Sequence, residues 1–119
     1  MKWIYIAILG GVGALCRYSI WLYCSKWEGF PYATLVVNAL GSFLIGLLFA
    51  WAQKSSSLLS REAFLVVSMG FLGALTTFSS FSLDSLRLFN MGHVPLLLLN
   101  IFSNNFLSLF FCYLGFRLI

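Results

Sequence analysis

Asn100, Asn104 and Ser108 stand four residues apart in an otherwise apolar stretch, so a helix would carry them on one face with a slow drift. Asn38, Ser42 and Gly46 repeat that spacing in an earlier apolar stretch. Carboxamides and hydroxyls offer neutral hydrogen-bond donors. Inside a membrane such groups serve either as glue between helices or as the lining of a polar path, and spacing alone leaves both readings open. Between the two stretches, Gly70, Gly73, Thr76, Thr77, Ser79, Ser80 and Ser82 crowd a segment of poor helix propensity. A helix from Ala63 through Phe89 would also overshoot a hydrocarbon core of ~30 Å, so a break is expected near Gly73 to Thr77. Backbone freed at that depth must be satisfied by protein or a cavity, and it could bind an ion. Phe78 and Phe81 follow the break and serve packing or, through their positive ring edges, an anion.

No Asp or Glu falls inside an apolar stretch; the only charge near one is Arg17, with Asp84 at the exit of the third. Cation pathways and proton-coupled carriers ordinarily use such carboxylates. Neutral donors and aromatic edges can instead replace the water of a small anion, which favours an anion channel. Cys16, Cys24 and Cys112 are odd in number and lack ligand spacing, so they read as buried thiols. His93 has no Cys or carboxylate near it in sequence and reads as solvated. Enzyme chemistry lacks its usual parts.

The elements that must position these groups follow from composition. Of 119 residues, 61% are hydrophobic and 8% charged, and the mean hydropathy is +0.98, which puts the chain in the membrane class. Four apolar stretches, about 3–23, 32–52, 63–83 and 95–116, each approach the ~20 residues a bilayer crossing needs. The expected fold is an all-α membrane protein, one domain over 1–119, with four transmembrane helices and a broken third. Cys24 to Pro31, Gln53 to Glu62 with its serine run, and Asp84 to Val94 read as short connections. Pro31 and Pro95 stand where spans begin. The first stretch is too long for a secretory signal and is not followed by a cleavage site.

The net charge of +4 comes from scattered residues, which suits anionic membrane lipid and not nucleic acid. With four spans, Lys2, Lys54, Arg61 and Arg117 share one side against Arg17, Lys26 and Arg87 on the other. Four against three leaves two readings open: orientation set by Lys2 alone, or insertion both ways to give an antiparallel dimer.

Three runs then carry a resemblance: Gly10-Gly11-Val12-Gly13-Ala14-Leu15-Cys16-Arg17-Tyr18, Thr34-Leu35-Val36-Val37-Asn38-Ala39-Leu40-Gly41-Ser42-Phe43, and Gly70 through Ser82 with Thr76-Thr77-Phe78-Ser79-Ser80-Phe81 at its centre. In that order, on those spans, the chain resembles the CrcB/Fluc fluoride-channel family over essentially its whole length. The resemblance implies a dual-topology antiparallel homodimer with two fluoride pores and a central structural sodium ion, in a cell or inner membrane. It implies that Asn38, Phe78, Phe81, Ser79 and Ser80 line the pore. Gly73 and Thr76 resemble the positions whose carbonyls hold sodium, and Arg17 and Asp84 resemble the arginine and acid of the family pattern. Ala33 departs from a glycine frequent there. Asn100, Asn104 and Ser108 align by spacing alone with a polar track in which Tyr and Ser are familiar.

The expected mechanism is passive electrodiffusion of fluoride. Two alternatives stand beside it. A small four-helix multidrug exporter shares the length but carries a glutamate within its first span, whereas the acids here are Glu28, Glu62 and Asp84. A structural membrane subunit would leave the asparagines as glue.

Overall fold

The structure is a computed structural model in which residues 1–54 and 58–119 are described. The serine run 55–57 of the second connection lies outside the described residues. Helix α1 (Lys2–Cys24) and α2 (Tyr32–Gln53) form the first hairpin. The third stretch comprises α3 (Arg61–Leu65), a π-helical segment (Val66–Leu72), a single turn α4 (Gly73–Leu75) and α5 (Phe78–Asn90); α6 (Val94–Leu118) closes the chain. Four helical stretches, Lys2–Cys24, Tyr32–Gln53, Arg61–Asn90 and Val94–Leu118, are long and apolar enough to cross a membrane.

Local signals account for the ends. Ser60 caps α3 by accepting the Ala63 amide at 3.0 Å, with Glu62 in the first turn. Pro95 occupies the first turn of α6. The turns between α1 and α2 and between α5 and α6 need left-handed backbone, which Gly29 (φ 92°) and Gly92 (φ 74°) supply. One expectation is corrected here. Asp84 to Asn90 is helical, not part of a connection, because Ser82 and Ser85 turn their hydroxyls back onto Phe78 and Phe81 carbonyls and leave the backbone ladder intact.

Small residues decide which helices meet closely. A Cβ at Gly46 would collide with the Cys112 carbonyl of α6, and one at Gly115 with the Phe43 carbonyl of α2, so this pair packs backbone to backbone. Gly13 of α1 does the same against the Phe71 carbonyl in the π-helical segment, while Gly70 of that segment sits over Ile6. A Cβ at Gly41 would strike the Thr76 methyl. Thus α2 and α6 form one tight pair, α1 and the third stretch another. Their meeting surface is filled by Val37, Leu72 and Leu75, with Cys16, Ile20 and Leu44 packed around them. The lipid-facing exterior is apolar and aromatic, and Lys2 pairs with Glu62 at one end.

Candidate functional site

The site is organised by the interruption at Thr76 and Thr77. Two consecutive threonines bring hydroxyls that compete with the helix ladder, and both are used. Thr76 turns its N–H and its hydroxyl onto the Leu72 carbonyl, both at 3.0 Å, and ends the first half-helix with extended backbone (ψ 156°). Thr77 is also extended (φ −154°, ψ 114°), and its hydroxyl caps α5 by accepting the Ser80 amide at 3.1 Å. Two carbonyls thereby lose their α-helical donors. The Gly73 carbonyl would have taken the Thr77 N–H and the Thr76 carbonyl the Ser80 N–H, and both amides go to side chains instead.

An extended residue presents its own N–H and C=O to the same side, so one carboxamide can serve both. Asn38 does this. Its Oδ1 accepts the Thr77 N–H at 2.8 Å and its Nδ2 donates to the Thr77 carbonyl at 3.2 Å. That pairing fixes which end of the Asn38 amide faces which neighbour, because a backbone N–H can only donate. From Asn38 a one-way chain follows. Asn38 Nδ2 donates to Asn104 Oδ1 (3.0 Å), Asn104 Nδ2 to Asn100 Oδ1 (2.8 Å) and to the Asn100 carbonyl (3.1 Å), and Asn100 Nδ2 to Ser85 Oγ (3.0 Å). Ser85 ends it on the Phe81 carbonyl at 2.8 Å. Asn100 is wholly buried and Asn104 nearly so, and every such buried side-chain atom among the described residues has a partner.

A cleft of about 450 Å³ opens beside the break. Asn38, Asn104, Ser108, Gly73, Thr76, Phe78 and Phe81 all reach it, as do Ser42 and Ser68, and every residue lining it is neutral. The phenylalanine rings lie with centroids 5.2 Å apart at 51°. Phe81 is buried whereas Phe78 is 75% exposed, so one ring is held by its own chain and the other stands out at the mouth. Gly73 is exposed too, and a Cβ there would meet nothing closer than the Ser68 carbonyl at 3.5 Å.

Other residues singled out in the sequence fall elsewhere. Asn100 stands behind Asn104, outside the cleft. The Thr77 hydroxyl donates to Ser80 Oγ at 3.1 Å and shares a hydrogen bond with the Ser79 hydroxyl at 3.2 Å. Asp84 accepts the Thr34 hydroxyl at 2.6 Å, with Arg87 at 3.8 Å, and Arg17 is half-buried on α1, which does not line the cleft. Sequence reasoning named Thr77 at the break and Thr34 in a motif without assigning either a role, and it passed over Ser85. For Thr77 a signal existed in the Thr77-x-x-Ser80 spacing of an N-cap. Thr34 and Ser85 gave none, since their partners are remote in sequence.

Chemically, the cleft can surround a small anion with amide, hydroxyl and ring-edge hydrogen, and it places no formal charge against it. The family profile described as CrcB-like protein, Camphor Resistance (CrcB), matches residues 4–116. The chain belongs to the CrcB-like family. Within it, a protein of Thermus thermophilus named fluoride-specific ion channel FluC is 44% identical over 98% of this chain and 92% of its own length. The similarly named protein of Shewanella halifaxensis is 44% identical over 98% and 94%, and that of Geotalea daltonii 40% identical over 94% and 91%. The CrcB-like match spans all four apolar helices, and the chain is a multi-pass membrane protein.

Proposed function

We propose that this chain is a fluoride-selective channel, not an enzyme, which lowers cytoplasmic fluoride by passive efflux across the cell membrane, in bacteria the inner membrane. The observation that carries the reading is the neutral, donor-lined cleft at the break, with Asn38 and the Phe78–Phe81 pair at its wall. The names of the relatives agree with it over nearly the full chain. The driving force is the gradient plus a membrane potential worth ~2.3 kcal/mol per charge per 100 mV, and a negative interior pushes anions out. Fluoride is small and strongly hydrated, so close amide, hydroxyl and ring-edge contacts must replace its water, while the narrowness of the path excludes chloride. Expressed in bacteria that lack their own fluoride exporter, the chain should restore growth in millimolar fluoride. Growth no better than with an empty vector would contradict the reading.

The working unit in this reading is an antiparallel homodimer. A single chain leaves the Phe78 ring and Gly73 uncovered beside an open cleft, and the Lys/Arg count of four against three gives little preference for either orientation. A second copy, inverted, covers that face and turns two open clefts into two closed paths. Accessibility labelling of tagged termini in cells should find each terminus on both sides of the membrane. Finding every N-terminus on one side would overturn the antiparallel arrangement.

A structural sodium ion belongs to the same proposal. The Gly73 and Thr76 carbonyls have lost their helical donors and belong to residues that line the open cleft, and two copies would contribute four neutral oxygens. Such oxygens suit a monovalent cation, since calcium prefers six or more oxygens with carboxylates among them. When bound, the ion supplies a fixed positive charge near the anion paths. Replacing sodium on both sides with N-methylglucamine should abolish fluoride efflux, and restoring sodium should return it. Undiminished efflux after rigorous sodium removal would leave the break with a packing role alone.

A further inference from the structure

Hydrogen-bond accounting at Asn38 raises a conflict with its service to an anion. Both Nδ2 hydrogens are engaged, one with the Thr77 carbonyl and one with Asn104 Oδ1. The Thr77 carbonyl is backbone and holds its place. Asn104 Oδ1 is therefore the acceptor an anion must displace. Asn104 cannot simply turn its amide over in the resting chain, because its Nδ2 would then face the Asn38 Nδ2 and its oxygen would face Asn100 Oδ1.

We infer that fluoride reverses the polarity of the whole amide chain, and that Asn100 and Ser85 are positioning residues for conduction although neither reaches the cleft. This rests on the fluoride reading above. In the reversed state Asn38 and Asn104 both donate N–H to the anion. Asn104 Oδ1 then takes an N–H from Asn100, whose amide has also turned, and Asn100 Oδ1 takes the hydroxyl hydrogen of Ser85. The reversal needs rotation of two terminal amide groups and one hydroxyl, with no backbone movement. Only a residue that can either donate or accept can terminate such a chain in both directions, and Ser85 has that capacity.

The balance of partners supports two accessible states. Apart from the Asn38–Asn104 bond that the anion replaces, the contacts given up are Ser85 to the Phe81 carbonyl and Asn104 Nδ2 to the Asn100 carbonyl. Both carbonyls lie inside helices, α5 and α6, four residues before the donors they lose, so the helix ladder still serves them. Among the described residues no buried side-chain atom lacks a partner in the resting state, each amide and hydroxyl of the chain Asn38–Asn104–Asn100–Ser85 keeps one on reversal, and the anion gains two charge-assisted bonds, each about twice as strong as a neutral one. At the other end reversal stops at Asn38, because the Thr77 N–H holds its Oδ1 in place.

Nuclear magnetic resonance on the intact dimer, with asparagine side chains labelled with ¹⁵N, tests this directly. Adding fluoride to the wild-type channel should move the NH2 signals of Asn38, Asn104 and Asn100 together, and the same concentration of chloride should move none. Ser85→Ala should abolish the Asn100 response and lower fluoride efflux at least tenfold, and Ser85→Thr, which keeps the hydroxyl, should restore both. An Asn100 signal that stays still while Asn38 responds would overturn the reversal and leave the channel reading intact. Wild-type protein without fluoride efflux would instead overturn the channel reading and this inference with it. Unchanged efflux in Ser85→Ala would also reject the positioning role.

Discussion

Asn38→Ala should abolish fluoride efflux and cost the fold roughly 2–6 kcal/mol, because the buried Thr77 N–H and carbonyl would both lose their partner and each unmet group costs about 1–3 kcal/mol. Asn38→Asp separates the two consequences. A carboxylate still accepts the Thr77 N–H, so the break keeps its geometry on that side. It offers no donor to an anion and repels one. The aspartate variant should therefore melt closer to wild type than the alanine variant in detergent, while its efflux stays at least a hundredfold below wild type. Efflux near wild type in both variants would reduce Asn38 to a backbone clasp.

Phe78→Ile and Phe81→Ile should each lower efflux at least tenfold, since isoleucine keeps much of the bulk but loses the positive ring edge. The two differ in what else they disturb. Phe81 is buried, so its replacement also repacks the core at a cost of about 1–2 kcal/mol. Phe78 is 75% exposed in the single chain, and its replacement costs the chain's own fold little. Phe78→Ile is thus the cleaner test. Wild-type efflux with a dimer of normal size would return both rings to packing.

Much of this arrangement is legible in the sequence itself. Apolar stretches of the right length announce four helices, and the density of glycine, threonine and serine from Gly70 to Ser82 announces the interruption. Its position at Thr76 and Thr77, within the expected Gly73 to Thr77 window, follows from hydroxyl competition with the ladder. The four-residue spacing of Asn100 and Asn104 correctly put them on one face. What spacing could not supply was rotation. Whether that face meets Asn38, 66 residues earlier than Asn104, depends on how α6 turns against α2, and this is set by the backbone contacts at Gly46 and Gly115. Ser85 was invisible for the same reason. The π-helical segment Val66–Leu72 had no signal either, because its widened turn is stabilised within a packed pair with α1.

In the fluoride reading, the neutral donors and ring edges of this chain, with its sodium ion and no other protein, suffice to pass fluoride and refuse chloride. Purified protein reconstituted in liposomes loaded with both salts, with sodium present and valinomycin added to carry the balancing potassium, measures it in one trace. Rapid fluoride efflux, recorded with a fluoride electrode, is expected, with chloride efflux no faster than from protein-free liposomes. Fluoride release at the protein-free rate, or chloride leaving as fast as fluoride, would contradict it.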